Sequence, residues 1–218
     1  MEAAIRAGRI IGFIIVVQMA GGMVVNFFLE APLFGTPGFL VNAASHSRQI
    51  GLAALLGLIT EALWVGIAIT AFPIFYKRTR AMALWFFALA VVVLSAAFVE
   101  NTGVMSMVSL SEAYTKASAA GLEQLQTVRV VVASARNWAH FLARVIDGAT
   151  IFIFYVVLSR FALIPRAIAG FGLIAAALMV TSVSMPLLGS DVVFPMLAPL
   201  GLSQLTLAGW LIVKGLRE

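Results

Sequence analysis

One stretch of the chain concentrates nearly all the side chains that could do chemistry. It reads Arg129-Val-Val-Val-Ala-Ser-Ala-Arg136-Asn137-Trp138-Ala-His140-Phe-Leu-Ala-Arg144-Val-Ile-Asp147. At about 100° per helical residue, Arg129, Arg136, Asn137, His140, Arg144 and Asp147 fall inside one arc of about 100°. Such a stripe is expected to face away from lipid, because a central Arg or Asp costs about 2.5–3.5 kcal/mol to insert. Two acids, Glu61 and Glu100, interrupt other apolar runs. Glu61, Glu100 and Asp147 then balance Arg129, Arg136 and Arg144, with His140 as the titratable extra.

Depth suggests which of these meet. At about 1.5 Å of rise per residue, Glu61 lies roughly 15 Å below the outer boundary of its span, and His140 lies at a similar depth. Arg144 is about a turn deeper. Glu100 is near the outer surface, level with Arg129 or Arg136, and Asp147 reaches Arg144 at i, i+3 spacing. The candidate ligand or proton site is therefore Glu61, Glu100, Arg136, Asn137, His140, Arg144 and Asp147, with Glu61 and His140 as the titrating pair. Two readings stand side by side: an ion-pair network that locks helices together, or a polar cavity that binds a ligand or passes protons.

Other chemistries find little support. The absence of cysteine removes disulfides, thiolate catalysis and cysteine-ligated metal sites. Two histidines, His46 and His140, are too few for a three-histidine zinc site, and no metal site is expected. Bis-histidine haem ligation would need a second histidine at depth, whereas His46 falls in an outer loop. His140 alone could be a haem or chlorophyll ligand, and the identity of any cofactor stays open at this point. No nucleophile–base–orienter set or phosphate loop is visible, so the balance leans away from an enzyme; an acid–base isomerase would have only Glu61, His140 and Asp147. The net charge of +5 does not point to nucleic acid, because the basic residues sit at the ends of apolar runs. Trp64, Trp85, Trp138 and Trp210 could form a cage, but Trp85 and Trp210 read more simply as interfacial anchors.

The elements that must position these groups are membrane spans. Hydrophobic residues make up 62% of the chain and charged ones 11%, against roughly 45–50% and ~25% in soluble domains, which excludes a soluble globular fold. Runs of about 20 apolar residues occur at about 10–29, 50–76, 82–101, 128–159 (inside a longer helix from about Leu122), 168–188 and 192–213. The expected fold is all-α, a single polytopic bundle of six transmembrane helices over 1–218. The first run lacks a small-x-small cleavage site and is longer than a signal-peptide core, so it is read as a retained span.

Loop charges orient the bundle. Arg6, Arg9, Lys77, Arg78, Arg80, Arg160, Arg166, Lys214 and Arg217 fall on one side, against Arg48, Lys116 and Arg129 on the other. The larger set marks the cytoplasmic face, giving an N-in, C-in topology. Residues 30–49, with Pro32, Gly35, Pro37 and Gly38, are expected to cross the surface irregularly. Residues 102–127 are expected to be an outer loop, holding a capping box at Ser109–Glu112 and a short helix. Gly8 with Gly12, and Gly172 with Ala176, are small-xxx-small pairs that permit close helix approach. The Pro195 and Pro199 region could break the last helix and open a site, as in transporters, and an irregular start to that helix explains it as well.

Two patches carry a family likeness. Ser159-Arg160-Phe-Ala-Leu-Ile-Pro165-Arg166-Ala-Ile-Ala-Gly170 is similar to an "RSGFLPRILG" turn. Leu205-Thr-Leu-Ala-Gly-Trp210-Leu-Ile-Val-Lys214-Gly215 is similar to an "ELSLALWLLVKG" ending. In these the chain resembles a bacterial family of six-span membrane proteins, domain of unknown function 4386. The resemblance implies the six-span fold and membrane placement, and no activity. Two features depart from the family. Its span-four histidines near "FFGLH" are replaced by Ile151-Phe-Ile-Phe-Tyr155, and its Glu before the last span by Ser203-Gln204.

The functional expectation is an integral protein of the bacterial inner (plasma) membrane, multi-pass and in contact with the lipid bilayer. Its polar interior site would bind a small or amphiphilic ligand or relay protons, with Arg136 and Arg144 holding anionic groups. The alternative is a non-catalytic accessory subunit of a larger membrane complex, associated with pigment or haem.

Overall fold

The computed structural model describes residues 2–217. Among them there is no strand, and the fold is all-α. The helices are α1 (Glu2–Val24), α2 (Ala31–Phe34), α3 (Phe39–Asn42), α4 (Ser47–Arg78), α5 (Arg80–Lys116), α6 (Ala119–Arg160), α7 (Arg166–Ser184) and α8 (Ala198–Lys214). A π-turn, Val25–Leu29, continues α1, and short 3-10 turns follow α7 and precede α8. Among the described residues, six helices are long and apolar enough to cross a membrane: Glu2–Leu29, Ala44–Arg78, Arg80–Lys116, Gly121–Arg160, Arg166–Leu188 and Phe194–Lys214.

α5 and α6 depart from expectation in length. At 37 and 42 residues they extend about 55 and 63 Å, against a hydrocarbon core of about 30 Å. Residues 102–127, expected as a loop with its own cap, are almost wholly helical; only residues 117–118 separate the two helices. The polar residues that suggest a break are absorbed into α5. Asn101, Thr102, Ser106 and Ser109 each donate to the carbonyl four residues back, so Ser109 caps nothing. Back-bonding of this kind lets Ser and Thr sit inside a helix without an external partner.

The chain forms two compact units. The first comprises Met1–Gln18, Glu61–Leu94 and Phe141–Glu218. Its interior is aromatic: Trp64, Phe75, Phe86 and Phe154 pack edge-on, tilted or stacked, with centroids 5.1 to 6.4 Å apart. Small residues bring its helices together. A Cβ on Gly12 would lie 2.8 Å from the Ala208 carbonyl, one on Gly8 would strike the Gly215–Leu216 backbone, and one on Gly172 would strike the Tyr155 ring. Tyr155 then donates its hydroxyl to the Ser203 carbonyl at 3.1 Å.

The second unit comprises Met19–Thr60 and Ser95–His140. Its core is Leu33, Phe39, Leu40, Ala43 and Ile50 against Val104, Met107, Val108 and Leu110 of α5, with Leu125, Val132 and Ala133 of α6 packed on it. The extension of α5 is held by this burial, at about 25 cal/mol per Å² of apolar surface. Ser111, fully buried, donates to the Leu40 carbonyl at 2.9 Å and accepts from the Ala44 N–H at 2.8 Å. Residues 30–49, expected to be irregular, instead fold into α2, α3 and a 3-10 turn; Gly38, at φ 112°, supplies the left-handed corner between them.

Candidate functional site

The ionisable groups fall into two clusters, one in each unit. In the second unit α5 and α6 approach closely at Gly103, where a Cβ would stand 3.1 Å from that of Arg136. The stem of Arg136 lies on this glycine, and its guanidinium sits 5.1 Å from the Phe34 ring centroid. Arg136 Nη2 donates to Glu30 Oε2 at 3.2 Å and to Glu100 Oε1 at 3.3 Å. The same Glu100 oxygen is 2.7 Å from His140 Nδ1. Glu30 and Arg136 are 4% and 5% exposed, so their charges must be compensated within the protein.

In the first unit the cluster is built on the next turns of α6. Arg144 Nη2 donates to Glu61 Oε1 at 2.7 Å, and its Nη1 donates to Asp147 Oδ2 at 3.2 Å. The i, i+3 pairing of Arg144 with Asp147 is the expected one.

Of the expected site residues, six enter these clusters: Glu61, Glu100, Arg136, His140, Arg144 and Asp147. Asn137 is exposed, as is Arg129. From Thr127 to Val131 every residue of α6 is exposed, so Arg129 shares the stripe's angle but not its surroundings. The expected Glu61–His140 pair is replaced by two others: His140 meets Glu100, and Glu61 meets Arg144. The rise per residue sets His140 level with Glu61 and Glu100 near the outer surface, but His140 stands only one turn from Arg136 on α6, and Glu100 reaches both.

Sequence reasoning misses Glu30, which opens the segment expected to cross the surface irregularly. It is among the most buried charged groups in the protein and the first partner of Arg136. With Arg129 exposed and Glu30 buried, four carboxylates face two guanidiniums and one imidazole. A weak signal existed: Glu30 directly follows an apolar run of 20 residues, so the end of that helix would bring it to the protein.

The family described as "Domain of unknown function (DUF4386)" matches residues 10–215, nearly the whole length, and the chain belongs to it. No curated protein and no solved structure matches the chain.

Proposed function

We propose that this member of the DUF4386 family is a multi-pass membrane protein that binds and releases a proton at the Glu100–His140 pair. The observation that carries this reading is one carboxylate oxygen, Glu100 Oε1, shared by an imidazole nitrogen at 2.7 Å and a guanidinium nitrogen at 3.3 Å. Arginine keeps its charge throughout, whereas imidazole is the side chain suited to change charge near neutral pH. Two carboxylates and one guanidinium sum to minus one, so these four side chains sum to zero with a protonated His140. One proton therefore switches the group between two charge states. Intramembrane ionisable groups more often serve function than chance.

Topology and placement belong to the same proposal. Nine basic residues in one set of loops and termini against three in the other support both termini facing the cytoplasm of a bacterial inner membrane. A second reading is favoured by one atom. Arg136 Nε is buried without a partner, so the acceptor of a small polar or amphiphilic ligand would satisfy it; native mass spectrometry would show an adduct that Arg136→Lys loses.

Proton counting tests the main reading. Potentiometric titration of the detergent-solubilised protein across the pH range in which it stays folded is expected to release one proton more than His140→Gln releases. Superimposable curves would refute it.

A further inference from the structure

Glu30 reaches Arg136 only because the helix before it changes phase. Val25–Leu29 is a π-turn, closed by the Glu30 N–H donating to the Val25 carbonyl at 2.9 Å. In an uninterrupted α-helix, five steps of about 100° would leave Glu30 about 140° round from Val25. The i to i+5 closure returns it to the same face, and the burial pattern records this. Val25 and Glu30 are buried, while Asn26, Phe27 and Phe28 between them are exposed.

A π-turn leaves carbonyls without their ordinary helical donors, and such turns recur at functional positions. At the end of this one the Phe28 carbonyl has no helical donor because Pro32 carries no N–H, and the Leu29 carbonyl has none because the Leu33 N–H goes to Glu30; one side chain takes up both. Gln49, in the first turn of α4, donates its Nε2 to the Phe28 carbonyl at 2.9 Å and the Leu29 carbonyl at 3.2 Å. On the other side of Glu30, its own carbonyl accepts from the Leu33 N–H at 2.9 Å, starting α2. The backbone of Glu30 is thus held on both sides, and of these donors Gln49 Nε2 alone belongs to a side chain.

We propose that Gln49 is a positioning residue: by clamping the π-turn it sets the Glu30 carboxylate against Arg136. Glu30 and Glu100 draw on the same nitrogen, Arg136 Nη2. Where Glu30 stands therefore decides how much of that donor Glu100 receives, and Glu100 is the group that meets His140. This rests on the proton-exchange reading above and names the residue that regulates it.

The test compares proton-release curves of the full-length solubilised protein for the parent, Glu30→Gln, Gln49→Met and the double variant, with His140→Gln as reference. Gln49→Met keeps the volume and removes the donor. The His140-dependent step should shift along the pH axis in Glu30→Gln. It should shift the same way, by at least half as much, in Gln49→Met, and the double variant should match Glu30→Gln. A Gln49→Met curve that overlays the parent, an unmoved Glu30→Gln curve, or a double variant displaced by the sum would each overturn the assignment. If His140→Gln removes no proton, the proton-exchange reading fails, and Gln49 is judged by thermal unfolding alone: less-than-additive costs with Glu30→Gln uphold it, additive costs overturn it. If Gln49→Met does not fold in the parent, it should fold in the Glu30→Gln background, where no charge is left to misplace. Failure there too would overturn the proposal.

Discussion

Replacing Arg136 by Met would take the shared guanidinium away from two buried carboxylates. The side chains of Glu30 and Glu100 are 5% and 12% exposed, so neither can recover its hydration by a small movement. Removing one partner of a buried ion pair costs about 3–5 kcal/mol, chiefly through the charge left behind. For a chain of this length each kcal/mol corresponds to about 2–4 °C, so Arg136→Met should lower the apparent midpoint by about 6–20 °C. The triple variant Glu30→Gln, Glu100→Gln, Arg136→Met removes all three charges and should regain most of that loss, as buried networks do when replaced together. Thermal unfolding in one detergent, followed by tryptophan fluorescence, gives the comparison directly. A single variant within about a degree of the parent, or a triple variant as unstable as the single, would refute the claim that these charges are held in a desolvated network.

Four further substitutions probe the frame. Arg144→Met should destabilise by less than Arg136→Met, about 1–3 kcal/mol, because Arg144 is a quarter exposed where Arg136 is almost wholly buried; a larger loss in the same melt would reverse this ranking. Gly172→Ala should cost about 1–3 kcal/mol or more by driving the Tyr155 ring off its place. Gly170→Ala, which meets nothing within 4 Å, should instead gain about 0.5–1 kcal/mol from helix propensity, and equal melting of the two variants would contradict the packing described. Ser111→Ala strands the Leu40 carbonyl and the Ala44 N–H together and should lose about 1–3 kcal/mol, read as faster amide exchange at Ala44; unchanged exchange would show that the hydroxyl is dispensable.

How far the sequence could be read depends on which property each residue expresses. The six spans were legible because a run of about twenty apolar residues is stable in few settings besides a bilayer, and the stripe on α6 was legible because its period is helical. The extension of α5 was not. Asn101, Thr102, Ser106 and Ser109 look like an exit from the membrane, yet each bonds its own helix, and the helix continues to bury Val104, Met107 and Val108. The partner of His140 was misread: a rise per residue sets His140 level with Glu61 and Glu100 near the outer surface, yet His140 stands one turn from Arg136 on α6 and Glu100 reaches both. Glu30 was lost for a different reason. A single π-turn shifts every later side chain round the helix axis, and no periodicity taken at a constant angle can follow it. Gln49, which holds that turn, carries no signal in the sequence beyond being polar at the start of a span.

Histidine-ring nitrogen NMR gives the most direct test that a proton is exchanged beside Glu100. With His46 changed to Asn, the labelled protein in a lipid disc has one imidazole to observe. Across the pH range in which the protein stays folded, His140 should pass between its two charge states, and Glu100→Gln should alter both the transition and the Nδ1 resonance. A His140 ring whose signals stay fixed across that range, and do not change in Glu100→Gln, would contradict it.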